Sequence, residues 1–225
     1  MSRVFGLLAA LGAVAIASPA AADFTPNFEQ APNVAQVVAA WPARAKAAGV
    51  GGKVMLTCEI DRSRHPRSCA VLKEPGGNYG FGAAAQKLAE LLVVDTPDIA
   101  RRNVFIPVNF DAALLSGSAT VTQPVWAEKP AIQDFQATFP KTQNGVNDVR
   151  VVLSCTIQPD GALGACTLTD ENPAGQGYGA GALELAAKFK VTPWSADGSP
   201  TIGAKIKLPI HYQLTAVAPT TAAKP

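Results

Sequence analysis

The chain has little of what marks an enzyme or a nucleic-acid binder. Its only histidines are His65 and His211, and neither has a nucleophile or carboxylate beside it in its own segment to complete a catalytic constellation. Charged residues are sparse, at 16 % with a net charge of +2. The basic residues are scattered except for Arg62, Arg64 and Arg67, which read as a solvated loop, so no basic stripe for nucleic acid is present. Aromatics make up only 7 %, against 19 glycines and 18 prolines, a balance that favours many turns. Gly76, Gly77, Gly80 and Gly82 lack the Lys-Ser/Thr of a phosphate loop. The four cysteines are spaced unlike zinc ligands. The chain is therefore read as a non-enzyme, with no catalytic, cofactor-binding or metal-binding residues and no cofactor.

Long apolar runs are missing too, apart from Val4 to Ala17. That run follows Arg3, is interrupted by Pro19, and ends at Ala20-Ala21-Ala22 before Asp23. It is shorter than the roughly 20 residues that cross a bilayer and has the pattern of a secretory signal peptide, residues 1–22. No membrane span is expected after cleavage. An exported chain, periplasmic or secreted, lies in a compartment where cysteines pair.

What the chain does contain is a copy of itself. Val54-Met55-Leu56-Thr57-Cys58-Glu59-Ile60 matches Val151-Val152-Leu153-Ser154-Cys155-Thr156-Ile157, and Cys69 recurs as Cys166, both 97 residues on (58 to 155, 69 to 166). Tyr79-Gly80 matches Tyr178-Gly179 after a two-residue insertion, and Ile106-Pro107-Val108-Asn109-Phe110 matches Leu208-Pro209-Ile210-His211-Tyr212. Two units indicate a duplicated domain and not a solenoid. Alternation of apolar and polar residues makes Val54 to Ile60 and Val151 to Ile157 strands with one buried face, so both cysteines point inward. Pro159-Asp160-Gly161 is a hairpin turn, and Arg62-Ser63-Arg64-His65-Pro66 replaces it with a weaker signal. The spacing predicts a helix over Val34 to Ala48, restarting at Pro42, and later helices over Gly82 to Val93 and Gly181 to Lys190. Closing strands follow at Asn103 to Phe110 and Lys205 to Leu214. The midpoint of Cys155 and Cys166 falls in the turn, as does that of Cys58 and Cys69, which predicts directly opposed cysteines, Cα atoms about 4.5 to 5.5 Å apart, and the disulfides Cys58–Cys69 and Cys155–Cys166.

Helix, hairpin, helix, strand is an order that resembles the C-terminal domain of the TonB energy-transducer family. The matching residues are Trp41-Pro42-Ala43-Arg44-Ala45 with Gly49-Val50-Gly51-Gly52-Lys53-Val54 in the first unit. In the second they are Pro159-Asp160-Gly161, Phe189-Lys190 before Pro193-Trp194, Asp197-Gly198-Ser199-Pro200 and Leu208 to Tyr212. Phe139-Pro140-Lys141 departs from the Ala-Arg-Ala pattern, and the family's membrane anchor and long periplasmic spacer are not seen. The expected fold is α+β: two tandem two-layer modules, each about two helices on a three-stranded antiparallel sheet. They span 33–110 and 131–214, after a short N-terminal segment 23–32, with a linker 111–130 and a disordered tail 215–225. The resemblance implies a protein-interaction module without energy transduction, whose partner is an envelope protein such as an outer-membrane receptor peptide.

That peptide would pair with the edge of the last strand of each unit. A proline cannot donate to a sheet ladder, so Pro107 and Pro209 favour an edge there. The candidate contact residues are Asn103, Phe105, Pro107 and Phe110, with Lys205, Lys207, Pro209 and His211. The alternative is a structural or cell-wall-binding envelope protein that presents Trp41, Trp126 and Trp194, although tryptophans in such a chain more commonly pack inside it.

Overall fold

The structure is a computed structural model, and it describes residues 25–96, 103–140 and 148–213. The expected signal peptide, residues 1–22, and the expected tail, residues 215–225, lie outside the described residues. The first half runs β1 (Phe28–Gln30), α1 (Val34–Ala39), α2 (Ala43–Ala47), β2 (Gly52–Ile60), β3 (Pro66–Lys73), α3 (Phe81–Ala89), β4 (Val93–Val94) and β5 (Asn103–Phe110). A 3-10 turn, Ala112–Leu114, and β6 (Thr120–Val121) lead to the second half. That half contains β7 (Trp126–Glu128), α4 (Ile132–Ala137), β8 (Asp148–Ile157), β9 (Leu163–Asn172), α5 (Tyr178–Ala186), β10 (Lys190–Val191) and β11 (Lys205–Gln213).

Each element has a local cause. Asn33 and Gln36 cap each other's backbone N–H at the start of α1, both at 2.9 Å. The helix stops before Trp41-Pro42 because proline has no N–H to continue it, and α2 begins after Pro42. Helices α3 and α5 start after left-handed glycines, Gly80 (φ 87°) and Gly177 (φ 80°), which bring no capping side chain. A carboxylate from the preceding hairpin supplies the cap: the Gly82 N–H donates to Glu74 Oε2 and the Tyr178 N–H to Glu171 Oε1, both at 2.8 Å.

The expectation of two tandem modules, each two helices on a three-stranded antiparallel sheet, is corrected here. The first large sheet has the order β3-β2-β5, but the second has four strands, β6-β11-β8-β9, and is mixed because β6 runs parallel to β11. Two further two-stranded sheets pair β1 with β4 and β7 with β10. Pro42 splits the first predicted helix in two, so the first half has three α-helices among the described residues. Backbone between the larger elements must also find hydrogen-bond partners, and short strands are how it does so.

The repeat is nonetheless deep, and its register is simpler than the sequence alone indicates. Gly80 and Gly177 stand 97 residues apart, as do the cysteines, so Phe81 corresponds to Tyr178 and no insertion is needed. Each half then packs a triad of rings, of which Phe139 alone is only partly buried. Trp41 and Phe81 meet Phe110 at 5.3 and 5.0 Å, and Phe139 and Tyr178 meet Tyr212 at 5.6 and 4.9 Å. The Tyr212 hydroxyl is buried and makes no hydrogen bond of good geometry among the described residues; burial holds its phenol above the ordinary value of 10.0, with the nearby Thr138 hydroxyl pulling partly the other way. The neighbouring Thr138 hydroxyl donates to the Phe135 carbonyl.

Both predicted disulfides are present, Cys58–Cys69 and Cys155–Cys166. Leu56 faces Val71 and Leu153 faces Leu168, the register the sequence implies. The cysteine Cα atoms are 4.1 and 4.0 Å apart, nearer than expected. In each hairpin the pairing shifts next to the cysteines, and the residue before the second cysteine is left-handed: Ser68 at φ 50° and Ala165 at φ 47°. The hairpin tips also correspond. Gly161 takes φ 81° and Arg64 takes φ 68°. Where the first half lacks an Asp-Gly turn, Asp61 orders the loop by accepting from the Ser63 and His65 N–H groups and from Arg67 Nε, at 2.8, 2.9 and 2.9 Å. The Arg67 bond, foremost, keeps the Asp61 carboxyl below its ordinary value of 3.8.

Candidate interaction edges

Both closing strands pair on one side with the central strand of their sheet. Pro107 lies opposite Met55 and Pro209 opposite Val152, equivalent positions in the two halves. On β5 the outward main-chain groups can be identified from what they bond: the Pro107 carbonyl accepts from the Trp194 indole N–H at 3.1 Å, and the Asn109 N–H donates to the Gly198 carbonyl at 2.7 Å. Odd-numbered residues of β5 thus direct their backbone away from β2. The missing N–H of Pro107 falls on that outer side, where the β2 ladder does not need it. By the shared register, Lys207, Pro209 and His211 direct theirs away from β8.

The two outer edges differ in what covers them. On β5, residues 194–199 of the second half lie across Pro107 and Asn109. Asn109 Nδ2 also donates to Asp197 Oδ2 and Ser199 Oγ, at 3.1 and 3.0 Å. Trp194, 3 % exposed, belongs to the hydrophobic core of the first half although its chain position is in the second. On β11, only Lys205 and Ile206 are paired on that side, by Thr120 and Val121 of β6. From Lys207 to Gln213 no strand lies on the outer side of β11, away from β8, among the described residues.

The candidate residues separate accordingly. Asn103 is exposed and Phe105 half-buried at the start of β5, where no strand lies on the outer side among the described residues, whereas Pro107 is buried under the 194–199 turn. Phe110 is fully buried in the ring triad and offers no side chain to a partner. Lys205, Lys207, Pro209 and His211 all project from the exposed face of β11. His211 Nε2 lies 2.8 Å from Asp148 Oδ1 on the neighbouring strand, so His211 does have a carboxylate beside it in its own half, contrary to the expectation from the sequence. Arg150, opposite His211, is exposed as well, so this face carries several cations near the open edge. The covering turn was missed as a functional feature, although Asp197-Gly198-Ser199-Pro200 signals a tight turn and Trp194 signals packing.

Comparison with known proteins adds one relative. The chain is 33 % identical over 63 residues, 28 % of its own length, to an uncharacterized protein of Caulobacter vibrioides, and the match spans 63 % of that protein. The matched stretch is shorter than the 97-residue spacing of the repeat (58 to 155), so it covers less than one repeat period. No family model matches the chain, and no solved structure matches it. Among the described residues no helix is long and apolar enough to cross a membrane, which together with the two disulfides is compatible with an exported protein.

Proposed function

We propose that the chain is a periplasmic or secreted interaction module, exported by residues 1–22, that takes up an extended segment of an envelope protein on the outer edge of β11. The observation that carries this reading is the contrast between the two outer edges: β5 is covered at Pro107 and Asn109, while the side of β11 away from β8 has no strand from Lys207 onward among the described residues. An added strand gains main-chain hydrogen bonds there, and alternate side chains select it. Lys205, Lys207 and Arg150 suit a segment with acidic residues. The resemblance to the TonB C-terminal domain supports the same habit. The alternative of cell-wall binding loses its aromatic surface, because Trp41 and Trp194 are buried and Trp126 packs on Phe189 at 5.1 Å.

Proline substitution tests the edge cleanly. Lys207→Pro and His211→Pro each delete an outward N–H while leaving the pairing with β8 its donors. A photo-crosslinking side chain at Gln213 should capture a defined segment of one envelope protein, identified by mass spectrometry, and the double proline chain should lose that product at least tenfold. Equal crosslinking by a proline chain with native circular dichroism would refute edge pairing. Retention on purified cell-wall polymer in place of a protein product would favour the alternative.

A further inference from the structure

The contact between residues 194–199 and β5 is too well fitted to be an incidental join. The turn is organised internally: the Ser195 N–H donates to the Ser199 carbonyl at 3.0 Å, the Ser199 N–H to Ser195 Oγ at 2.8 Å, and Ser195 Oγ to Asp197 Oδ1 at 2.5 Å. Its base is closed by Thr201 Oγ1 on the Thr192 carbonyl at 2.6 Å. From this rigid turn, three kinds of group meet the edge: an indole N–H on the Pro107 carbonyl, a backbone carbonyl on the Asn109 N–H, and an Asp-Ser pair on the Asn109 side chain. Gly198 makes the close approach possible. It sits at φ +88°, and a Cβ there would lie 2.4 Å from the Pro107 carbonyl oxygen and 2.5 Å from its carbon.

We infer that the outer edge of β5 is a second capture site, already filled in cis by the chain's own turn, and that its ligand class is a turn peptide of the form Trp-x-x-Asp-Gly-Ser. The proposal rests on the reading that the sheet edges of this chain take up peptide segments. It adds that the first half is closed in the resting protein, with its recognition chemistry written in residues 194–199. A segment from another molecule must present the same indole, carbonyl and carboxylate to take the place of this turn. The buried Trp194 side chain is the anchor such a ligand has to match.

The test uses the full-length chain. Gly198→Ala drives a methyl group into the backbone of Pro107 and should lift the turn from the edge. Gly175→Ala imposes the same kind of backbone strain, φ +73°, with nothing within 4 Å of the new methyl, and serves as control. Hydrogen exchange at the Asn109 amide should accelerate at least tenfold in Gly198→Ala and stay unchanged in Gly175→Ala. A synthetic peptide of residues 192–201, cyclised head to tail because those ends lie side by side, should then restore protection of Asn109 in the Gly198→Ala chain. The same peptide carrying alanine at the glycine should not. An unaltered Asn109 amide in folded Gly198→Ala, or an opened edge that no peptide protects again, overturns the proposal. Should Gly198→Ala fail to fold, Asp197→Ala removes one acceptor of the Asn109 side chain and gives the same two readouts with smaller amplitude. Because everything is read at Asn109, the result is independent of whether β11 binds an envelope protein.

Discussion

Tyr212 is a residue whose cost the molecule itself demonstrates how to remove, since Phe110 fills the equivalent place in the other half without a hydroxyl. A buried hydroxyl left without a partner forfeits its hydration, so Tyr212→Phe should be neutral or stabilising by up to about 1 kcal/mol in urea denaturation. Its pH dependence has a definite sign. Burial raises the folded-state pKa above the ordinary 10.0, so the folded chain holds this proton more firmly than the unfolded one. The associated stability is complete below that value and is lost as pH rises through the window above it. The phenylalanine variant should therefore show a shallower loss of stability at alkaline pH, and an identical slope in the two chains would exclude Tyr212 as its source. At this scale the sequence was informative where chemistry is paired. The disulfides could be read because inward alternation and the turn midpoint agree. Arg64 in a left-handed conformation could not be read, because nothing in a Ser-Arg-His run announces φ 68°.

Among the elements, α3 and α5 depend on a cap that comes from outside the helix. Glu74 and Glu171 each reach from the end of a hairpin to the first turn of the helix that follows, at equivalent positions 97 residues apart (74 to 171). Replacing Glu171 with alanine should cost about 1 kcal/mol, the ordinary price of a lost cap, and Glu74→Ala about the same. Hydrogen exchange should locate the loss at the start of the respective helix, and a loss spread evenly over both halves would contradict the assignment. The long strands β2, β5, β8 and β11 were legible because eight to ten residues of period two leave little ambiguity. Strands β1, β4, β7 and β10, two or three residues each, were not, since such lengths carry no period. The Tyr-Gly identities at 79 and 178 suggested an insertion, whereas the glycine that precedes each helix sets the true register.

For the whole molecule, the decisive fact is that a side chain of the second half completes the core of the first. Trp194→Ala should cost about 3–5 kcal/mol as a large-to-small core change, and it should be felt far away in sequence. The expected result is faster exchange of the β2 amides, including Leu56, although the substitution is nearly 140 residues downstream (56 to 194). Confinement of the effect to the second half would mean that the two cores are energetically separate. Sequence reasoning recognised the duplication but treated its copies as equals. Periodicity reports which face of a strand is buried and is silent on which half does the burying, so a tryptophan in a Pro-Gly-rich loop gave no sign of its destination.

The kinks beside the cysteines have a consequence for life in a crowded compartment. Strands β3 and β9 are the opposite margins of the two large sheets, and an exposed margin invites neighbouring molecules to add on and polymerise. An extra residue inserted next to each disulfide coils the strand locally, and the covalent bond fixes that coil in place. A flat template is thereby denied to other copies along two margins, so self-association at high concentration is steered away from the hairpins and toward the outer side of β11, whose ladder with β8 carries no such shift.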